Sequence, residues 1–283
     1  MTQAADAPIT FVIFTYNEAA RIERVVRNLR DSGPVLVIDN HSTDNTALLA
    51  EALGARILHH QNPGWVEDEA TTAVVKAAVC TPWIYWGYAD EMLSRDTLDH
   101  ILGIVRANRH DIISIARDNY YYGRYCHQAF AGGRLPRVFK KDAIDFTDNV
   151  IHRFGRVTVP DERIHYADRR RYIVHHFISN TAQTYLRSYD RYTDVEAGDQ
   201  APPHPARLII RSLRTFLGNY VLRGGYKAGQ EGFYFSVQMI YFDWLLAMKR
   251  FEHQNGYDNF NIERINNINR DIILNEQLNK AKK

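Results

Sequence analysis

Four short apolar runs recur at intervals of about 20 to 30 residues in the first third of the chain: Ile9–Thr15, Val35–Asp39, residues 55–59 and residues 83–88. They are rich in β-branched and aromatic side chains, the composition of buried strands. Between them the apolar spacing changes to that of helices. Ile22, Val25, Val26 and Leu29 share one face, then Leu48, Leu49 and Leu53, then an Ala- and Val-rich stretch over residues 67–79. Gly33-Pro34, Gly54 and Asn62-Pro63-Gly64 punctuate the alternation. Strand, helix, strand at this spacing predicts right-handed βαβ units and a parallel sheet. The sheet is expected to extend through residues 111–116, after which the regular rhythm fails.

Open sheets of this kind bind ligands at the carboxyl ends of their strands. Four loops should meet there, carrying residues 15–18, 39–44, 62–65 and 88–91. They offer Glu18, Asp39, Asp44, Asp90 and Glu91. No G-x-G-x-x-G follows the first strand and no G-x-x-x-x-G-K-[ST] occurs, so phosphates are not cradled by a glycine turn. Acids beside phosphates require a cation between them. A carboxylate ending the second strand can also accept from a nucleobase N–H or ribose hydroxyls. Simpler roles compete: Asp39 and Asp44 suit a turn and a helix cap, and Asp90-Glu91 could open a helix at Ser94 and Asp96.

With 45% hydrophobic and 24% charged residues and a net charge of +2, the 283-residue chain carries no global signal for nucleic acid. Its two cysteines, Cys80 and Cys126, form no metal or disulfide spacing, which suits a reduced, cytoplasmic setting. The first eight residues lack the features of a signal peptide, and the best apolar stretch, residues 237–248, is short and broken by Asp243.

Phe11-Val12-Ile13-Phe14-Thr15-Tyr16-Asn17-Glu18, then Val37-Ile38-Asp39 with Asn40-His41-Ser42-Thr43-Asp44, then Ala89-Asp90-Glu91 resemble the successive signatures of family 2 glycosyltransferases. The resemblance implies an α/β protein of the GT-A, Rossmann-like class: a mostly parallel sheet flanked by helices, here with a C-terminal helical extension. It also implies that Thr15, Asn17, Glu18 and Asp39 hold the nucleotide of a nucleoside-diphosphate sugar. Asp90 would be the last Asp of an Asp-x-Asp motif and ligate Mg²⁺ or Mn²⁺. Tyr88 stands where the first Asp is usual; it could stack on or hydrogen-bond the donor but is a poor ligand for a hard cation.

Residues 120–125 form a Tyr-rich cluster with Arg124, suited to stacking on sugars or to ordinary strand packing. Arg134-Leu135-Pro136-Arg137-Val138-Phe139-Lys140 resembles a segment of the bacterial lipopolysaccharide core glucosyltransferases. That subgroup continues with Val-His-Glu, whose Glu is the expected base; here His152 matches and Arg153 replaces the Glu. Arginine accepts no proton, so the base is expected at Asp148 or His152, with Asp161 and Glu162 as further options. In His175-His176 the two rings should face opposite ways on a strand, so one at most enters the cleft.

Residues 1–185 are expected to form the catalytic domain and residues 186–283 a helical region. Arg207, Arg211 and Arg214 line one side of a helix whose other side carries Ile209, Leu213, Phe216, Leu217 and Tyr220. Such a helix suits either an anionic membrane surface or packing on the protein. The sequence therefore reads as an inverting glycosyltransferase that passes a sugar to a saccharide or lipid-linked acceptor in bacterial polysaccharide or lipopolysaccharide synthesis, at the inner face of a membrane. A degenerate binding or scaffold protein and a sugar-phosphate nucleotidyltransferase are the competing readings.

Overall fold

The computed structural model describes residues 7–62, 68–126, 133–147, 149, 154–178, 181–198 and 200–280, the last five without their side chains. The chain separates into two compact units, Met1–Ser179 with Arg223–Glu231, and Asn180–Leu222 with Gly232–Lys283.

The first unit is built as the alternation predicts. Strand β1 (Ile9–Thr15) leads to α1 (Ile22–Leu29), β2 (Val35–Asp39), α2 (Thr46–Ala52), β3 (Arg56–His59), α3 (Glu69–Ala78) and β4 (Trp83–Tyr88). Helix α1 starts four residues later than the first polar residues of the pattern suggest, because residues 17–21 form a turn closed by Arg21 N and Ile22 N on Glu18 O. Helix α3 is capped by Asp68, whose carboxylate accepts from Thr71 N at 2.7 Å. A short β5 (Glu91–Leu93) follows, then α4 (Arg95–Ala107), capped by Ser94 Oγ accepting from Thr97 N.

β6 (Ile112–Tyr121) lies in the same sheet and runs past the expected residue 116. It turns through Tyr122 and Gly123, both at positive φ, into β7 (Arg124–Tyr125), the geometry of a two-residue hairpin turn. β8 (Arg134–Lys140) inserts antiparallel between β4 and β6. β9 (Ile144–Asp145) and β10 (Arg156–Val157) form a separate ribbon. β11 (Ile164–Tyr166) and β12 (Ile173–Ile178) pair parallel with β6, and β5 closes the sheet antiparallel to β12. The order is β3-β2-β1-β4-β8-β6-β12-β5. Its first four strands are parallel and its second half is mixed.

Alternate residues of the strands feed two cores. Ile9, Phe11 and Ile13 of β1 pack with Ile22, Val26 and Leu29 of α1 and with Leu98 and Ile101 of α4. Val12 faces the other way, with Leu36, Ile84, Trp86, Phe139 and Phe146. Gly87 leaves room for Tyr85, whose ring a Cβ there would strike.

The second unit holds α5 (Ala182–Ala197), α6 (Pro205–Leu217), most of α7 (Gly229–Asn255) and α8 (Asn259–Lys280). Lys249 of α7 bonds Asp190 and Asp194 of α5 at 2.7 and 2.5 Å. Trp244 Nε1 donates to Ser212 Oγ at 2.8 Å, joining α7 to α6.

Candidate active site

The loop after β1 and the loop after β2 are stitched into one surface by side chains that serve backbone groups. Asn17 has a φ of 55°, a conformation Asn tolerates better than other branched or bulky residues. Its Oδ1 accepts from Thr43 N at 2.8 Å, and its own N–H donates to Ser42 Oγ at 2.9 Å. Glu18 N donates to Thr46 Oγ1 and Ala19 N to Asp44 Oδ2. Asp44 thus ties the two loops together as well as serving α2, and the Thr46 hydroxyl foremost holds its carboxyl below the usual range.

Asp39 is buried at the end of β2. Its Oδ1 accepts from Thr15 Oγ1 at 3.2 Å and Ser42 Oγ at 2.5 Å; its Oδ2 accepts from Ser42 N at 3.0 Å and meets His59 Nδ1 at 3.1 Å. A carboxylate has about four acceptor positions, and these contacts occupy them. In this conformation Asp39 organises the loop from within.

β4 delivers Tyr88, Asp90 and Glu91 to the same edge, and they separate there. Tyr88 packs toward the second core, its ring 6.0 Å from that of Phe14 and 5.3 Å from the Arg137 guanidinium. Glu91 turns inward and is buried. It is bonded by the equally buried Arg137, whose other nitrogen donates to Trp86 O at 3.0 Å, and its Oε2 accepts from Tyr88 N. Of the two adjacent acids, Asp90 is the one that stays partly exposed, its side chain 30% accessible. The turn that carries it is fixed on three sides: Ala89 N donates to Phe14 O, Phe177 N donates to Asp90 O, and Asn28 of α1 pairs with both backbone groups of Leu93.

His176 meets Asp90 across that turn. Its Nε2 is 3.1 Å from Asp90 Oδ2 and its Nδ1 is 2.7 Å from Asn119 Oδ1. With an Nδ1–H donated to Asn119, the Nε2 lone pair faces a carboxylate oxygen, and the two together offer an oxygen and a nitrogen to a cation. Burial opposes ionisation of Asp90, but the His176 hydrogen bond and charge, with Arg21 and Arg117, outweigh it and hold the carboxyl below its ordinary value. His175 takes the opposite face, with its Nδ1 3.2 Å from Tyr120 Oη, as the alternation of a strand requires.

Glu18 has the opposite character. Its Oε2 is 2.6 Å from Arg21 Nε, yet burial pushes the carboxyl up to about 7 against that pull, and Asp90 and Asp44 add to the rise. Arg117 lies on β6 near Asp90, with its Nη1 3.6 Å from Glu91 Oε1, a carboxylate that Arg137 already engages. One acid therefore faces two guanidiniums, leaving positive charge beside Asp90.

Among the expected residues the structure brings Thr15, Asn17, Glu18, Asp39 and Asp90 to one sheet edge, while Tyr88 packs beneath it. Asp148, His152 and Arg153 lie outside the described residues, as does part of the loop after β3. Asp161 and Glu162 occur in a 3₁₀ turn before β11, where Asp161 accepts from Tyr166 Oη. Asn119 and Arg117 carry no local sequence signal; only the pairing of β6 with β12 aligns Asn119 with His176.

The donor set fits a hard divalent cation. A carboxylate oxygen and an imidazole nitrogen held at right angles around Mg²⁺ or Mn²⁺ would lie about 3 Å apart, with remaining positions for substrate oxygens and water. Among the described residues no group of three or more His, Cys, Asp or Glu could hold a metal, so such an ion would depend on its substrate for further ligands.

The model of the glycosyl transferase family 2 domain matches residues 10–192. An uncharacterized glycosyltransferase of Rickettsia bellii is 33% identical over 39% of the chain and 37% of its own length. Another, from Rickettsia prowazekii, is 24% identical over 81% of both chains. Among solved structures, S. aureus TarS 1-349 in complex with UDP-GlcNAc aligns over 89% of this chain and 93% of its own, at 10% identity and a TM-score of 0.46. The chain therefore spans little more than a third of the first relative it matches and most of the second.

Proposed function

Because the chain belongs to glycosyl transferase family 2, and is on that ground a glycosyltransferase of the GT-A α/β class, we propose that it moves a sugar, with inversion, from a nucleoside-diphosphate donor to a saccharide or lipid-linked acceptor. The observation that carries this reading is the Asp90–His176 pair, set beside the loop that joins Thr15, Asn17, Glu18 and Asp39.

Asp90 and His176 would hold Mg²⁺ or Mn²⁺, which when bound neutralises the donor diphosphate. Asn119 fixes the His176 ring. Arg21 and Arg117 add fixed positive charge where the leaving diphosphate gains negative charge. Thr15, Asn17, Glu18 and Asp39 would shape the nucleotide pocket. Because Asp39 is engaged internally, its contact with a base or ribose requires Ser42 or His59 to yield an acceptor position. Transfer needs a base that takes the acceptor hydroxyl proton as its oxygen bonds the anomeric carbon and the bond to the diphosphate breaks. Asp148 is proposed for that part, with His152 as the imidazole alternative.

Bacterial cell-surface polysaccharide or lipopolysaccharide synthesis is the proposed setting, with the protein peripheral at the inner face of the membrane. Helix α6 supports that placement: Ile209, Ile210, Leu213 and Leu217 are about half exposed on a helix that also carries Arg207, Arg211 and Arg214. No helix among the described residues is long and apolar enough to cross a membrane. A non-catalytic binding protein is the second reading, favoured by the internal engagement of Asp39 and by Tyr88 and Arg153 at positions of expected acids.

Calorimetric titration with UDP, GDP and dTDP, with and without Mn²⁺, separates the readings. Metal-dependent binding of one nucleotide that Asp90→Ala abolishes is expected. Absence of binding under every condition would leave the non-catalytic reading in its place.

A further inference from the structure

Helix α8, 22 residues long, has no cover of its own. Of residues 259–275 all but Asn261 are exposed, and the exposed side chains include Ile262, Ile265, Ile268, Ile272 and Ile273. The first four recur at spacings of three, three and four, which gathers them on one face, and Ile273 borders it. The same stretch contains six Asn, a poor helix former. A lone helix of this length and composition is marginal in water. Its apolar face has to be covered for the helix to persist.

The charges on α8 identify what covers it. Over residues 259–275 two acids, Glu263 and Asp271, balance two bases, Arg264 and Arg270. That balance contrasts with the acid-free, Arg-rich α6 and gives no preference for an anionic lipid surface. Glu263 and Arg270 pair with each other at 2.6 Å along the helix. Arg264 and Asp271 take part in no ion pair among the described residues. They lie seven residues apart, so they share one flank of the Ile face two turns from each other.

We infer that α8 pairs antiparallel with α8 of a second copy of this chain, about a two-fold axis at Ile268. With that centre Ile268 meets its own counterpart, and Ile265 comes within one residue of the level of Ile272 of the other copy, as Ile262 does with Ile273. Arg264 of each copy faces Asp271 of the other, so the contact is made twice, as a self-complementary two-fold interface requires. In a parallel pair the same flank of each helix falls on opposite sides of the seam, so Arg264 would not meet Asp271 of the other copy. Asn269 interrupts the Ile face near the axis, where a polar side chain fixes register.

Sedimentation velocity and light scattering on the full chain test the pairing. The wild type is expected at twice the chain mass of 32.8 kDa, and Ile265→Asp/Ile272→Asp at the single mass. Arg264→Asp and Asp271→Arg should each shift the equilibrium toward monomer, and the double reversal should restore the dimer. A wild type that stays monomeric throughout the micromolar range overturns the inference, and so does a dimer that survives Ile265→Asp/Ile272→Asp. Failure of the double reversal to restore pairing rules out the antiparallel register. Co-sedimentation of a monomeric chain with phosphatidylglycerol vesicles, lost in Ile265→Asp/Ile272→Asp, would give the face to a membrane instead.

Discussion

His176 Nε2 stands 3.1 Å from Asp90 Oδ2, although 86 residues separate the two in the chain. The antiparallel pairing of β5 with β12 creates this approach, because it sets His176 opposite Glu91, one residue from Asp90. Neither residue holds a cation well alone; together they present a hard oxygen and a nitrogen to one point.

Removing the imidazole should therefore weaken metal more than nucleotide. His176→Ala is expected to lower Mn²⁺-dependent nucleotide affinity by about 10- to 100-fold, and Asn119→Ala, which frees the ring, by about tenfold. Isothermal titration at fixed nucleotide and varied Mn²⁺ checks this. Equal affinities in wild type and His176→Ala would remove His176 from the metal site.

Glu91 and Arg137 form a pair whose side chains are only 2% and 1% exposed. Glu91→Gln removes the carboxylate charge that the buried Arg137 guanidinium bonds, and a loss of about 3–5 kcal/mol in unfolding free energy is expected. Denaturant titration followed by Trp fluorescence reads it. A loss below about 1 kcal/mol would mean that water or another acid reaches Arg137.

Glu18 sets a pH dependence of opposite sign to most acids. Its folded carboxyl titrates at about 7 against 4.5 in a free side chain, so between those values the folded protein binds more protons than the unfolded. Its contribution is fully favourable below about 4.5 and is lost as pH rises through about 7. Relative to the wild type, Glu18→Gln should gain about 1–3 kcal/mol at pH 8 and little at pH 5, with Arg21 offsetting part of the gain. Thermal melts across that range decide it. A Glu18→Gln variant less stable at pH 8 would show that the Arg21 ion pair outweighs burial.

Binding of α6 to anionic vesicles should depend on its free arginines. Arg211 already pairs with Asp243 at 2.9 Å, so Arg207 and Arg214 are the informative pair. Each basic residue near an anionic surface is worth about 1 kcal/mol, and Arg207→Glu/Arg214→Glu should weaken binding at least about tenfold. Vesicle flotation at low and high salt measures it. Salt-independent binding, or binding unaffected by the double reversal, would remove α6 as the contact.

The parallel half of the sheet was legible because each βα unit is local. Short apolar runs, and the 3.6-residue period between them, read directly from residues 9–88, and their order dictates which strand ends share an edge. The acids at that edge, Glu18, Asp39 and Asp90, followed from the same pattern. The expectation that at most one histidine of the adjacent pair enters the cleft also needed only the alternation of a strand, although which one could not be read.

Which acids face outward was a different kind of question. Asp90 and Glu91 are neighbours with similar side chains, yet one stays partly exposed and the other is buried against Arg137, from a strand that inserts antiparallel into the sheet. The full occupation of Asp39 by Thr15, Ser42 and His59 likewise draws on three separate stretches of chain. Local spacing determined the strands, the helices and the loops that meet, because hydrophobic periodicity acts over a few residues. The pairing of Asp90 with His176 and the inward turn of Glu91 were decided by tertiary structure, because they depend on strand register between segments distant in sequence, and register is a property of the assembled sheet.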